Sequence, residues 1–287
     1  MRAIYKRELA SYFKSMIGYV FMFFIFLIVG IYFTAYNLSY AYPSISVTLN
    51  SITFIFLIVI PILTMRVLSE ERRQKTDQLL LTAPVSITKI VCGKFFALLT
   101  VYLIPMLVIC LYPLIMRHFG TISYAQNYTA ILGFFLLGAS NIAIGLFVSS
   151  LTENQIVSAV LTFVIMFVCY IMTGIESLIS TSKTTALIVL TLVIVVFALL
   201  LWFILKNATV AAFVGIILEV VLIILYAVKS SLFEGIITNI LEVFNISSHF
   251  QLFIDGTFNL TAILYFVSVI FVFVFLTMQS MQKRRWS

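Results

Sequence analysis

The chain has 287 residues, 63% of them hydrophobic and 9% charged, and its mean hydropathy is +1.20. That composition excludes a soluble globular domain and marks an all-α protein that crosses a bilayer repeatedly. The net charge of +7 does not point to nucleic acid, because the basic residues flank apolar runs instead of forming a soluble patch.

Residues 2–14 predict an amphipathic helix lying on the membrane. At helical spacing Tyr5, Leu9, Tyr12, Phe13 and Met16 share one side, and Arg2, Lys6, Arg7 and Lys14 another. No small-residue cleavage pattern follows, so this segment is expected to stay on the chain. Each crossing needs about 20 mainly apolar residues, because in lipid the backbone must satisfy its own hydrogen bonds. Eight stretches qualify: 16–36, 49–68, 94–116, 128–150, 156–180, 185–205, 208–228 and 260–281. The connections around 180–210 are very short, so six spans plus re-entrant or inserted segments between 180 and 260 is the alternative.

The outer loop Leu38–Thr48 is rich in Tyr and Ser, as suits an interface. Pro61 predicts a kink in the second span, and Pro105 and Pro113 fall in the third. The fourth has a small-residue edge, Gly138, Ala139, Asn141, Ala143, Gly145 and Ser149. Such an edge lets helices approach closely, either for packing or as a surface that slides. Leu151–Gln155 is a tight turn. Between Lys229 and Leu260, Phe233, Ile236, Ile237, Ile240, Leu241 and Phe244 outline a surface-lying or re-entrant helix over the extracytoplasmic segment 229–259. The last span ends in Lys283-Arg284-Arg285-Trp286.

Placing the N-terminus in the cytoplasm puts all but Arg117, Lys183 and Lys229 of the 17 Lys and Arg on or near the inner face. Both termini are then cytoplasmic. The cytoplasmic loop 69–93 holds the one strongly polar island, Glu70-Glu71-Arg72-Arg73-Gln74-Lys75-Thr76-Asp77-Gln78, followed by the amphipathic run Leu79–Ser86. A charged, structured loop between apolar spans presents itself to something on that side.

Reactive chemistry is absent from the sequence. The only Gly-Lys pair, Gly93-Lys94, lacks the rest of a phosphate-binding loop. Cys92, Cys110 and Cys169 have no metal or disulfide spacing, no Ser lies in a G-x-S-x-G elbow, and His118 and His249 are isolated. Two carboxylates stand apart. Glu219 sits mid-span, where a charge costs about 2.5–3.5 kcal/mol on insertion scales. It should therefore face protein or water, either on a substrate path or as a proton site, or within an interhelix hydrogen bond. Glu176 sits near an outer end, as a structural or mouth residue.

Three stretches together resemble the ABC-2 type transporter permeases: Ser69–Ser86 continuing through Lys89-Ile90-Val91-Cys92-Gly93-Lys94-Phe95, the turn Gly145–Gln155, and the C-terminal ending; the Ile4–Phe13 opening also fits the family's N-terminal interfacial helix. The ending from Tyr265-Phe266 to Arg284-Arg285-Trp286 is similar to the gliding-motility-associated branch. The resemblance covers nearly the whole chain as one transmembrane domain, 1–287. It implies a plasma-membrane permease subunit that is not itself an enzyme and has no cofactor of its own. A separate cytoplasmic ATPase would bind ATP and Mg and drive transport, with export the expected direction. A second permease chain and membrane lipid would complete the assembly. The resemblance further implies a coupling helix over about Glu70–Leu81 that docks on the ATPase, with Glu70, Glu71, Arg72, Thr76 and Asp77 as polar contacts and Leu79, Leu80, Leu81 and Val85 as apolar ones, closed by Pro84. Many members carry Gly where this chain has Lys75, which predicts a more continuous helix here. The alternative function is a secondary transporter using Glu219, for which an inverted repeat would be expected and none is seen.

Overall fold

The computed structural model describes residues 1–82, 85–178, 208–229 and 245–286, with short pieces at 183–184, 186–191, 194–195, 233, 235, 239 and 241–243. The regular elements among these are helical. Helix α1 spans Arg2–Lys14 and α2 Met16–Tyr32, which widens into a π-helical turn at Phe33–Ser39. Then come α3 (Ile45–Ser51), α4 (Phe56–Thr64), α5 (Ser69–Arg73), α6 (Asp77–Thr82), α7 (Ile87–Ile109), α8 (Tyr112–Met116), α9 (Tyr124–Leu151) and α10 (Gln155–Leu178). The chain closes with α11 (Ala208–Val228), α12 (Ile246–Ile254) and α13 (Leu260–Trp286).

Six described helical stretches are long and apolar enough to cross a membrane: Met16–Ser39, Ile45–Arg73, Ile87–Met116, Tyr124–Leu151, Gln155–Met172 and Leu260–Arg285. They correspond to six of the eight expected spans. The seventh stretch, 208–228, is the helix α11, and most of 185–205 lies outside the described residues. So do Ile236, Ile237, Ile240 and Phe244 of the 229–259 segment. The chain is a multi-pass membrane protein.

Two compact units divide the chain, one of residues 1–170 with 246–287 and one of 171–245. In the larger, α9 is the most buried of the six spans and contacts α3, α4, α7, α12 and α13. Its small-residue edge makes this geometry accessible. A Cβ at Gly138 would overlap the Tyr102 ring of α7, and one at Gly145 would overlap the Thr64 side chain of α4. Tyr102 is fully buried and donates its hydroxyl to the Phe134 carbonyl at 2.7 Å. The edge is therefore a packing surface within the chain. Helix α10 has the inverted pattern that lipid dictates: Ser158, Thr162 and Met166 are buried, while Ile156, Val160, Phe163 and Phe167 are exposed.

The second span is irregular about two turns before Pro61, at Ile52 and the 3-10 turn Thr53–Ile55, and helical through Pro61 itself. At the opposite end from the polar loop, residues 38–48 fold against the bundle. The Asn37 carboxamide donates to the carbonyls of Tyr42 (2.8 Å) and Ser44 (2.9 Å) and accepts from the Thr48 hydroxyl at 2.7 Å. Asn127 of α9 accepts the Ile45 N–H at 2.7 Å. The buried polar joint is the second half of this loop, with Ser44, Ser46 and Thr48 buried; residues 38–43, including Tyr40 and Tyr42, are exposed.

The smaller unit has α11 and an apolar cluster of Ala186, Leu222 and Phe233, with the Phe233 ring 5.3 Å from that of Tyr226.

The α9 packing predicts an asymmetry between glycines. Gly145→Ala should destabilise the detergent-solubilised protein by about 1–3 kcal/mol through overpacking, whereas Gly30→Ala, with nothing within 4 Å of its added carbon, should leave thermal unfolding unchanged or slightly raised.

Candidate functional site

The polar island is built on the end of the bundle where the second span runs out. The sequence predicts one continuous helix over about Glu70–Leu81, but two short helices form, α5 and α6, with a break at Gln74-Lys75-Thr76. The cause is a Schellman ending. The Thr76 N–H donates to the Glu71 carbonyl at 2.9 Å and the Lys75 N–H to the Arg72 carbonyl at 3.1 Å. That geometry requires a left-handed residue, and Lys75 adopts φ 55°. Lys75 thus takes the conformation that suits Gly, instead of removing the turn as expected from its side chain.

The start of α5 is capped from another helix. The Ser149 hydroxyl of α9 accepts the N–H groups of Leu68 (3.1 Å) and Ser69 (3.2 Å) and donates to the Met65 carbonyl at 3.2 Å. One side chain thus takes two N–H groups from the start of α5 and a carbonyl from the end of α4. Arg72 closes the reverse contact, donating to the Leu151 carbonyl at the end of α9 (2.9 Å) and pairing with Glu153 at 2.7 Å.

Beneath α5 lies a closed set of four charges. Lys94 in α7 is completely buried, and its Nζ is 2.8 Å from Glu8 Oε1, 2.9 Å from Glu71 Oε2 and 3.1 Å from the Val67 carbonyl it donates to. Arg7 completes the set at 2.8 Å from Glu8 and 2.5 Å from Glu71. Two cations and two carboxylates cancel. The set joins α1, α5 and α7, which are distant in sequence. Burial alone would push the Glu8 carboxyl up, but the charge and hydrogen bond of Lys94, with those of Arg7, outweigh it and hold it below its usual range. Helix α1 therefore packs on protein through Ile4, Glu8 and Tyr12. Ile4 seats against Gly93, Tyr5 shares a hydrogen bond with Thr100 at 2.9 Å, and the Tyr12 hydroxyl donates to the Leu63 carbonyl at 2.9 Å. Met16, expected on the apolar face, is 82% exposed.

Of the other expected loop residues, Glu70 pairs with Arg66 and accepts from Gln74 at 3.0 Å. The Thr76 hydroxyl donates to the Glu71 carbonyl at 3.3 Å. Asp77 opens α6, half-buried, and Val85 packs against the core. Leu80 and Leu81 lie in α6 with side chains outside the described residues, as does that of Leu79; Pro84 is outside them entirely. The outward surface of α5, α6 and the break between them includes Arg73, Gln74, Lys75, Gln78 and Thr82. A cleft of about 310 Å³ between α1 and the loop is lined by Ser11, Ser15, Gln74 and Thr76 along with Arg7, Glu8 and Glu71 of the charged set.

Glu176 and Glu219 belong to the smaller unit. Glu176 accepts the Asn245 amide at 2.7 Å, a structural link. Glu219 lies in α11 with one carboxylate oxygen buried and without a hydrogen-bond partner among the described residues. No group of three or more His, Cys, Asp or Glu placed to hold a metal occurs among them. The sequence reading missed Glu8, Lys94 as a buried ion, and Ser149 as a cap. Two signals were present: Glu8 is the one acid in residues 1–69, and Lys94 interrupts an apolar run.

Residues 2–185, which contain α1, the loop, the charged set and the α9 cap, match the family model described as ABC-2 family transporter protein. The chain belongs to the ABC-2 transporter family. Comparison with curated proteins found no match. As an ABC-2 family member it is the permease component of an ABC transporter, and the loop occupies the middle of the matched region.

Three outcomes follow for this ABC-2 permease. Lys94→Met should cost about 3–5 kcal/mol, because it strands buried carboxylates. Adding Glu8→Gln restores neutrality and should recover part of that loss, measured by thermal unfolding of the single and double variants. Lys75→Gly should raise stability by about 1 kcal/mol by relieving the left-handed residue. Finally, a depressed Glu8 contributes stability that is present above the ordinary carboxyl pKa of about 4.3 and is lost as pH falls through its lower folded value. Docking of α1, followed by hydrogen exchange over residues 2–14, should hold from neutral pH to about pH 5 and loosen below the ordinary carboxyl range.

Proposed function

We propose that the chain is the permease half of an ATP-driven exporter, and that the α5–α6 loop couples a separate cytoplasmic ATPase to the bundle. The observation that carries this is the mounting of the loop. Its base is pinned by Lys94, Arg7 and Ser149, and its outward face is polar and exposed. A loop that served only to set topology has no need of a buried ion set beneath it. The basic flanks of the spans support an inner location for the loop and both termini.

In this reading the ATPase binds ATP and Mg and closes on them, and its closure displaces α6. Asp77, Thr76, the Leu79–Leu81 run and the Pro84 turn form the contact. Glu71 and Arg72 act one step behind, holding α5 to α1, α7 and α9 so that displacement of the loop is passed to three helices at once, while Glu70 braces the loop locally through Arg66 and Gln74. A second permease chain completes the pathway, as the family's assembly supports. The ending Tyr265–Trp286 supports the gliding-motility-associated branch.

Asp77→Ala should reduce association with the partner ABC ATPase, and stimulated hydrolysis, several-fold without changing thermal unfolding. Glu71→Ala should lower the unfolding temperature as well. Failure of any ATPase to co-purify with the wild-type chain would sink the reading.

A secondary transporter is the second reading. Its support is the buried Glu219 oxygen. It requires transport that persists without ATP and is lost in Glu219→Gln.

A further inference from the structure

A second cleft opens on the same end of the bundle, between the end of α9 and the last turns of α13. Its volume is about 490 Å³, and Arg72, Lys283 and Arg284 line it together with Phe147, Leu151 and Leu276. That volume falls in the range of small-ligand sites, about 300–1,000 Å³. Three cations line it and no carboxylate does; two acids act on it from outside the lining, Glu153 paired with Arg72 and Asp77 near enough to Arg284 to be felt electrostatically.

The walls have two characters along the direction of the helices. Lys283 and Arg284 sit in the last turn of α13, and Leu276 about two turns deeper. Leu276 is 37% exposed and Leu151, level with the arginines at the end of α9, is 50% exposed, so apolar surface faces outward beside and below the charges. The Phe147 ring, 5.8 Å from Phe273, closes the back.

The two arginines already have structural work. Arg284 donates to the Ser150 carbonyl and Arg72 to the Leu151 carbonyl, capping the end of α9. This fixes their guanidinium groups at the rim, and a guanidinium has five N–H donors in a planar fork that suits phosphate oxygens. Lys283 is exposed and adds a mobile charge.

We infer that this cleft is a binding site for the phosphate headgroup of an anionic phospholipid, with the acyl chains lying along Leu151 and Leu276. The ligand chemistry is a phosphodiester held by fixed guanidinium groups at the bilayer boundary, where basic pockets between membrane helices take such headgroups. A soluble phosphate would gain from the cations but nothing from the apolar wall, and an acidic peptide would have to reach past the rim into lipid-facing surface. Because Arg72 also belongs to α5, an occupied site touches the base of the polar loop. Binding itself needs no ATPase, so the inference stands or falls apart from the function proposed above.

The test is native mass spectrometry of the full chain released from nanodiscs of equal phosphatidylglycerol and phosphatidylcholine. The wild type should retain phosphatidylglycerol in preference. Lys283→Gln should lower that retention about fivefold, the worth of one basic residue near a membrane surface, while Lys283→Arg preserves it. Lys14→Gln, an exposed cation on the same end, should leave it unchanged. Equal retention of the two lipids would overturn the site, as would an equal loss in Lys14→Gln, which means diffuse attraction. Complete displacement of the lipid by excess inorganic phosphate would also overturn it, as the mark of a soluble-phosphate site.

Discussion

A primary ammonium with no exposure to solvent is the constraint around which this end of the protein is arranged. Removing an ion of that size from water costs several kcal/mol even after relaxation, and Lys94 recovers it only because two carboxylates and a carbonyl meet it at 2.8–3.1 Å. Those partners come from α1, from α5 and from the segment between α4 and α5. None of the three elements can leave without stranding a buried polar group, so α1 and the loop are held in one register. An apolar residue at position 94 with apolar neighbours could give equal stability, but it would not specify which way α1 and the loop face.

The α9 helix supplies the matching constraint from the other side. Its glycines bring α4 and α7 within reach, and the position of α4 sets where the chain leaves the membrane. Ser149 then receives the emerging backbone, and Leu151 and Ser150 offer their carbonyls to Arg72 and Arg284. Close packing in the membrane and polar capping at its edge are thus one continuous arrangement. The same helix that makes the bundle compact also sets the base of the loop.

The spans were legible because lipid imposes a length and a composition on every crossing helix, and each of the six described ones is a long apolar run. The loop was legible as a charged island in an apolar chain. The ion set was not, since Glu8 and Lys94 lie 86 residues apart and local periodicity places Glu8 simply between Ile4 and Tyr12 on a helix face. Lys75 misled for a different reason. Its helix propensity favours continuation, but the ending of α5 is decided by hydrogen bonds to Glu71 and Arg72 that outweigh the left-handed strain of one residue.

The Ser149 hydroxyl, bonded to three backbone groups of a neighbouring segment, has a consequence for how such permeases can be recombined. The loop is not a portable module bounded by its own two ends. Moved into another permease, residues 69–82 would bring Glu71 and Arg72 but leave behind the serine that caps the start of α5, the lysine beneath it and the glutamate beside that lysine. The true unit of exchange is discontinuous, including positions 7, 8, 94, 149 and 151 along with the loop, and a graft that respects only chain continuity would arrive without its foundations.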